Sequence, residues 1–386
     1  MSKKLKNVVF PLILVVMLLL SSCIMPAETE VVEETESPII ITDVIGREVT
    51  LEKPAEKLVG THNPTMNAAV VLGGGGKYLV GFGNKEMSRG LYEQVIDSYD
   101  DLAQIGKGSN INFESVIAAG ADLAILPERF QDLVPQFEEV NIPAVVILDS
   151  TESFETVKQT LTLLGQALGE AERAEKITAF LDAQLENAQT LLKDTTERPS
   201  VLFLGGSSQL SVAPAAMIQT SLIEAGGGTN AVSGVEGTGD FVDVNIEQIV
   251  AWNPDVIWFP AYSDYTAEDL INDPAWSSIN AIKNQKVFEF PSLLEPWDQP
   301  TAAVALGVDD LVDGARRQDV EAGQRLVQQQ RLVRLGHALR DEDPLPLAAG
   351  QLVQVPVGEV GDLEALHGAG HAGAVLGAGA SEPAEL

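Results

Sequence analysis

The chain has 386 residues, and its 56 aspartates and glutamates outnumber its 24 lysines and arginines, which gives a formal net charge of −32. This excess of negative charge argues against nucleic acid or an anionic lipid surface as the binding partner. Cys23 is the single cysteine, so the composition excludes a disulfide framework and a thiolate metal cluster.

Residues 1–22 have the pattern of a secretory signal peptide, with lysines at the start and an apolar run from Val8 to Leu20. At about 1.5 Å per helical residue, this run is shorter than the roughly 30 Å core of a bilayer, so it does not predict a membrane-spanning helix. The small residues directly before Cys23 resemble the bacterial lipobox, in which the thiol is acylated and the cysteine becomes the first residue. We therefore expect lipidation at Cys23, and an ordinary signal with a leftover cysteine is the alternative.

Residues 23–38 are acidic and contain no aromatic side chain, which is typical of a solvated tether. Together with the signal peptide, this segment predicts an extracytoplasmic protein. We expect it at the cell surface or in the periplasm, held to the cell membrane by a lipid anchor.

Residues 39–150 are predicted to form an N-terminal α/β lobe. Short apolar runs at 57–60, 79–82 and 144–148 are typical of buried strands. The stretch at 112–127, NFESVIAAGADLAILP, combines a helical pattern, a turn and an apolar run without the alternation of a half-exposed strand. It therefore predicts a helix followed by a buried parallel strand.

Residues 151–195 carry apolar side chains at helical spacing, interrupted only near Gly165 and Gly169. The pattern predicts one long connecting helix. Such a connector would restrain the hinge motion of the parts that it joins.

Residues 196–314 are predicted to form a C-terminal α/β lobe. The stretch at 245–260, NIEQIVAWNPDVIWFP, repeats the unit at 112–127, with Asn, Glu, Ala, Asp and Pro at the same places. The predicted fold class is α/β, with two Rossmann-like lobes that have parallel sheets and are joined by one long connecting helix. A ligand cleft is expected between the lobes, because open α/β sheets bind ligands beyond the carboxyl ends of their strands.

The remaining segment, 315–386, contains no aromatic residue and no Lys, Ile, Asn or Thr, although the preceding chain uses all of them. This is a break in composition, and it predicts an anomalous low-complexity tail. An artefact of sequencing or assembly and a genuine disordered extension both explain it. We assign this tail no chemistry.

The ordered succession of motifs over about residues 39–308 resembles the substrate-binding lipoproteins of iron-complex and cobalamin ABC importers, the helical-backbone class of periplasmic binding proteins. The motifs that carry this resemblance are FESVIAAGADLAILP, LIEAGGGTNAV, IEQIVAWNPDVIWFP and KVFEFPSLLEPWDQPTAAVALG. The resemblance implies a monomeric, non-catalytic protein without a cofactor or resident metal. It would capture an iron chelate, either a ferric siderophore or haem, and deliver it to a membrane permease driven by an ATPase. Cobalamin, another corrinoid and a molybdate-type oxyanion are alternative ligands, and a chelatase-like enzyme and a structural surface lipoprotein are alternative classes.

Loops that follow predicted strands supply the candidate ligand-binding residues. Lys and Arg on one side with aromatic rings on the other suit an anionic chelate, whereas a neutral corrinoid would depend more on the rings. For His62, ligand contact and plain loop capping are both open. The candidates are His62, Asn63, Asn84, Lys85, Glu128 and Arg129 from the first lobe, and Ser207, Ser208, Phe241, Tyr262 and Trp297 from the second.

The resemblance also implies an acidic docking residue for the permease on each lobe. In the second lobe Glu224 stands at this place, and in the first lobe Asn67 stands about where the family carries Glu. Docking is therefore expected to be asymmetric, or else Glu86 or Glu93 supplies the missing charge.

Overall fold

The computed structural model describes residues 37–85, 90–292 and 296–308. The signal peptide, Cys23, most of the tether, Glu86 and the tail therefore lie outside the described residues. Within these ranges, no helix has both the length and the apolar composition that crossing a bilayer requires.

The first lobe contains a parallel sheet, and a small hairpin precedes this sheet in the chain. Strands β3, β4, β5, β8 and β9 pair in the order β5-β4-β3-β8-β9, and every pairing among them is parallel. Both β8 and β9 are buried along their whole length, as their unbroken apolar sequence predicts. The elements are β1 (Ile39–Thr42), β2 (Glu48–Leu51), β3 (Leu58–Gly60), α1 (Asn63–Gly73), β4 (Leu79–Phe82), α2 (Tyr92–Val95), β5 (Ala103–Gln104), β6 (Gly106–Lys107), β7 (Asn110–Ile111), α3 (Phe113–Ala119), β8 (Leu123–Pro127), α4 (Val134–Glu139) and β9 (Ala144–Leu148).

The segment after β9 forms two helices, and this differs from the single connecting helix that the sequence predicts. Helix α5 (Phe154–Leu168) ends at Gly169, whose φ of 70° is left-handed, and α6 (Ala171–Leu192) follows it. The chain turns back here because Gly165 lies against Ala174, so closely that a Cβ added to Gly165 would come within 2.7 Å of the Ala174 Cβ. Helix α5 packs on the first lobe, and α6 reaches the second, where Leu192 contacts Gly227.

The second lobe has a mixed sheet rather than a wholly parallel one. Its strand order is β13-β11-β10-β14-β15, with β12 also paired to β10. The pairs β10 with β12, β10 with β14 and β14 with β15 are parallel, whereas β11 is antiparallel to β10 and β13. The elements are β10 (Ser200–Gly205), β11 (Ser208–Val212), α7 (Ile218–Ala225), β12 (Thr229–Asn230), β13 (Val242–Asp243), α8 (Ile246–Trp252), β14 (Val256–Pro260), α9 (Ala267–Asn272), α10 (Asn280–Lys283) and β15 (Val287–Phe290).

The sequence repeat corresponds to the same structural unit in each lobe, α3 with β8 and α8 with β14. Each unit begins at an Asn whose side chain caps its helix, because Asn112 accepts from Ser115 N and Asn245 accepts from Gln248 N. Each helix ends at a left-handed residue, Gly120 or Asn253.

The repeated Asp fixes each unit to the strand beside it. Asp122 accepts hydrogen bonds from Glu56 N at 3.0 Å and Lys57 N at 2.8 Å, directly before β3. Asp255 accepts from Ser200 N at 3.1 Å, at the first residue of β10. Sequence inspection alone does not reveal this role, which is to align the start of the central strand with the repeated unit in both lobes.

Candidate ligand-binding site

A cavity of about 610 Å³ lies between the two lobes. Most of its lining comes from loops that follow strands, including those after β3, β4, β8, β9, β10 and β14. The expected location of the cleft, beyond the carboxyl ends of the strands, is therefore where the structure has its pocket. The lining residues are His62, Asn63, Pro64, Asn84, Arg129 and Glu152, followed by Gly206, Ser207, Met217, Gln219, Gly239, Asp240, Phe241, Tyr262, Asp264, Asp298, Gln299 and Pro300.

Arg129 links the two lobes across the pocket. Its Nη1 donates to Gly239 O at 2.9 Å and to Asp240 Oδ1 at 3.1 Å, both in the second lobe. Its guanidinium also lies 5.2 Å from the centre of the Phe130 ring. The charge of Arg129 is thus already paired with a carboxylate before any ligand arrives.

His62 lines the pocket as an uncharged imidazole. Burial is the main cause that holds the pKa of His62 well below its ordinary value, and the positive charge of Arg129 lowers it further. The side chain makes no capping hydrogen bond to α1, although His62 occupies the N-cap position. Its Nδ1 is buried without a hydrogen-bond partner among the described residues, and its ring meets Phe130 edge to face at 6.3 Å.

Asn84 is held at the pocket by its own loop. Its φ is 56°, in the left-handed region, and its Nδ2 donates to Thr61 O at 2.9 Å. Asn63 begins α1 and lines the same wall. In the second lobe, the turn between β10 and β11 presents Ser207, and Tyr262 follows β14. These residues and Phe241 are predicted candidates that the fold brings together.

Glu152 and the residues around it form an acidic wall of the pocket, and none of them is among the candidates predicted from the sequence. Glu152 follows β9, its side chain is buried, and its Oε2 accepts from Ile218 N at 3.4 Å. Burial is the main reason that the pKa of Glu152 is raised to about 7; the Ile218 N–H and Arg129 oppose this rise, and Asp240 and Asp298 add to it.

Asp298 and Gln219 extend this wall through direct hydrogen bonds. The Tyr262 hydroxyl donates to Asp298 Oδ2 at 2.8 Å, and Gln219 Nε2 donates to the Asp298 carbonyl at 2.7 Å. Glu152 could have been found from its place after a strand. Gln219 lies on α7 and Asp298 in a late loop, where no sequence pattern distinguishes them from structural residues.

Four predicted candidates do not line the pocket. The Lys85 ammonium donates to the carbonyls of Tyr99, Asp100 and Leu102 at 2.8 to 3.3 Å, so it holds its own loop together. The Glu128 carboxylate accepts from Ser150 N at 2.8 Å, and the Ser208 hydroxyl accepts from Leu210 N at 3.2 Å. Trp297 is only 1% exposed and packs in the apolar core, so among the described residues Phe241 and Tyr262 supply the phenyl and phenol rings at the pocket.

The two proposed docking positions differ in accessibility. Glu224 is exposed on α7, which suits contact with another protein. Asn67 is 3% exposed within α1, so its side chain is not presented on an outer surface. The expectation that Asn67 marks a docking position does not fit this placement, because α1 is covered by the rest of its lobe. Glu93 is exposed.

In the described ranges, no group of three His, Cys, Asp or Glu side chains is arranged to hold a metal ion.

Two α/β lobes with a pocket between facing sheet edges define a ligand-binding protein of the two-lobe kind. The chain belongs to the periplasmic binding protein family, whose model matches residues 64 to 294. This confirms the resemblance and the fold class inferred from the sequence. At the level of the family, the protein is a substrate-binding protein of ABC transport and not an enzyme.

Individual relatives are distant. The molybdate-binding protein MolA of Haemophilus influenzae is 24% identical over 292 residues, which is 69% of this chain and 82% of that protein. The structure of MolA bound to molybdate has a TM-score of 0.63 with 21% identity, covering 77% of this chain and 94% of that one. YvrC of Bacillus subtilis, an uncharacterized ABC transporter substrate-binding lipoprotein, is 23% identical over 289 residues, or 72% of this chain and 87% of that protein. CeuE of Helicobacter pylori with Ni(II) bound has a TM-score of 0.63 and 17% identity, over 78% of this chain and 97% of that one.

Replacing Glu152 by Gln should change how stability depends on pH. In the folded protein the pKa is raised from 4.5 to about 7, so the folded state keeps a proton that the unfolded chain loses in this window. Unfolding free energy therefore falls as pH rises from 4.5 through 7. Gln carries no charge, so its stability does not fall in this way. The unfolding free energy of the variant, relative to that of wild type, should therefore increase by roughly 3 kcal/mol as pH rises from about 4 to about 8.

Urea denaturation of both proteins across this range measures the effect. Glu155→Gln is the matched control, because Glu155 is exposed on the first turn of α5 and should show no such gain. A pH-independent difference between Glu152→Gln and wild type would contradict a buried, protonated Glu152.

Proposed function

We propose that the protein captures a ferric chelate outside the cytoplasm and delivers it to the permease and ATPase of an ABC importer. The observation that carries this proposal is the cavity of about 610 Å³ that both lobes line. This volume suits a ligand of the size of a drug or a small chelate, for which pockets of about 300 to 1,000 Å³ are usual. Phe241 and Tyr262 supply ring surface for the apolar parts of such a ligand.

The charges of the lining favour a neutral or cationic chelate over the anionic one expected from the sequence. Glu152, Asp240, Asp264 and Asp298 bring carboxyl groups to the pocket. Arg129 is paired with Asp240, and His62 is uncharged. Like charges raise the cost of binding an anion in a partly desolvated cavity, so a ferric hydroxamate suits this lining better than haem with its two propionates. A neutral corrinoid meets the same condition.

A molybdate-type oxyanion is the second candidate, because MolA is bound to molybdate in its structure and is similar to this chain in sequence and fold. In the pocket, Arg129 and Ser207 offer N–H and O–H donors to an oxyanion. The carboxyl groups around them and the large volume weigh against this candidate.

The proposed function also requires that the protein is held at the membrane and contacts the permease. Lipid attachment at Cys23 would hold the protein at the outer face of the cell membrane, next to the permease, and YvrC is named a lipoprotein. The exposed carboxylate of Glu224 would pair with a basic residue of the permease, as the family resemblance implies.

A ligand panel tests the proposed function. Isothermal titration of the protein with neutral, cationic and anionic ferric siderophores, haem, cobalamin and molybdate should give the tightest binding for a neutral or cationic ferric chelate. We expect a Kd at or below about 1 μM, which corresponds to about −8 kcal/mol. Phe241→Ala should weaken this binding at least about tenfold through lost ring contact. Phe113→Ala, a half-buried ring away from the pocket, is the control. Tight binding of molybdate with none of the chelates would contradict the proposal and favour the oxyanion.

Reversing the charge at Glu224 tests docking. Glu224→Lys should leave chelate affinity unchanged, because Glu224 is outside the pocket. It should lower ligand-stimulated ATP hydrolysis of the reconstituted importer at least about fivefold, most strongly at low salt, since the contact is ionic. Glu289→Lys, at an exposed residue of β15 in the same lobe, is the matched control. Stimulation equal to that of wild type would remove Glu224 from the interface.

A further inference from the structure

Gln219 leaves an acceptor without a donor at the pocket. Its side chain is 1% exposed, lines the cavity and donates through Nε2 to the Asp298 carbonyl at 2.7 Å. Because a carbonyl oxygen can only accept, this bond fixes the orientation of the amide. The other amide atom, Oε1, is buried and has no hydrogen-bond partner among the described residues. A buried acceptor of this kind destabilises the protein unless a bound group supplies a donor.

Glu152 adds a second under-used acceptor beside Gln219. Its backbone N donates to Ala216 O at 2.8 Å, which fixes the start of the connector against the segment before α7. Within the described residues, its carboxyl group accepts one hydrogen bond, the long one from Ile218 N at 3.4 Å. Ile218 directly precedes Gln219, so the two acceptors are brought together at the beginning of α7.

Asp298 is the third residue of this group, and it accepts hydrogen bonds from donors nearby. The Tyr262 hydroxyl proton is donated to Asp298 Oδ2 at 2.8 Å, and one of the two Gln219 Nε2 protons is donated to the Asp298 carbonyl. What this part of the pocket has left to offer a ligand is mainly oxygen lone pairs. A complementary ligand must therefore bring its own N–H or O–H donors.

We propose that Glu152, Gln219 and Asp298 form a subsite for a primary ammonium group carried by the ligand. This inference rests on the proposed function and names the part of the chelate that the protein distinguishes. An ammonium group has three donors and no acceptor, and it carries the charge that offsets the carboxylates. A neutral hydroxyl supplies one donor and no charge.

Binding of an ammonium group should change the protonation state of Glu152. The charged groups that act on Glu152 are Arg129, Asp240 and Asp298, and burial dominates over all of them in raising its pKa to about 7. An ammonium group placed against Glu152 favours the carboxylate, so the bound complex should release a proton near neutral pH. Titration calorimetry in buffers of different ionisation enthalpy measures this release directly.

Ferrioxamine B and its N-acetylated form provide a matched pair of probes, because both hold iron in the same trihydroxamate cage and only the first has a free ammonium group. The full mature protein is titrated with each chelate at about pH 7. Wild type should bind ferrioxamine B at least about tenfold more tightly than the acetylated form, with proton release only for the former. Glu152→Gln should reduce this preference to less than about threefold and abolish the proton release. Asp298→Asn is a second variant with the same expected direction, and Glu155→Gln is the control that keeps the preference.

The outcomes separate the subsite from the proposed function. Equal affinities of wild type for the two chelates would overturn the ammonium subsite and leave a chelate-binding protein. A preference that survives both Glu152→Gln and Asp298→Asn would also overturn it. Binding of neither chelate, in folded protein that binds another ferric siderophore of the panel, would overturn the subsite alone. Binding of molybdate with none of the ferric chelates would overturn the ferric-chelate function and the subsite together. The wild-type comparison requires no variant, so a variant that fails to fold does not remove the test.

Discussion

Parallel strands bring all their carboxyl ends to one edge of a sheet, and in this protein two such edges face each other across one cavity. This constraint places most of the residues that line the site. It explains why short loops from distant parts of the sequence meet in one place. The repeated Asp122 and Asp255 stabilise it, because Asp122 holds the residues directly before β3, and Asp255 holds the first residue of β10, to the helix-strand unit beside them.

The connection between the lobes has two parts of different strength. Helices α5 and α6 are packed together at Gly165 and Ala174 and anchored in both lobes, so they form the permanent link. Arg129 forms the other link, an ion pair with Asp240 at the surface of the pocket. Exposed pairs of this kind contribute about 0 to 1 kcal/mol, which is too little to lock the lobes against ligand exchange. The helical hairpin is therefore the stronger connection between the lobes, and the Arg129 pair is the weaker one.

The electrostatic character of the pocket follows from burial as much as from composition. The chain is strongly acidic overall, but a general acidity says little about a binding site. What matters locally is that burial keeps His62 uncharged and raises the pKa of Glu152 to about 7, so that its neutral and charged forms coexist near neutral pH, while Arg129 is paired with Asp240. The pocket thus has few cations to offer an anion and several acceptors to offer a donor.

Sequence patterns predicted the parts of the fold that local chemistry determines. The repeat at 112–127 and 245–260 gave the correct helix, turn and buried strand, because capping residues and apolar runs act locally. The division of the connector at Gly169 could not be predicted from periodicity, because it depends on the contact of Gly165 with Ala174. In the same way, only tertiary structure shows that Lys85 serves its own loop, that Trp297 is in the core, and that Gln219 and Asp298 meet Glu152 at the pocket.

The proposed function requires that a metal chelate binds between the two lobes. A crystal structure of the protein with a ferric siderophore, with anomalous data collected at the iron edge, would locate the bound metal. We expect a single strong anomalous peak inside the cavity, between Arg129 of the first lobe and Tyr262 of the second. An iron peak on the outer surface of either lobe, with the cavity occupied only by water, would contradict it.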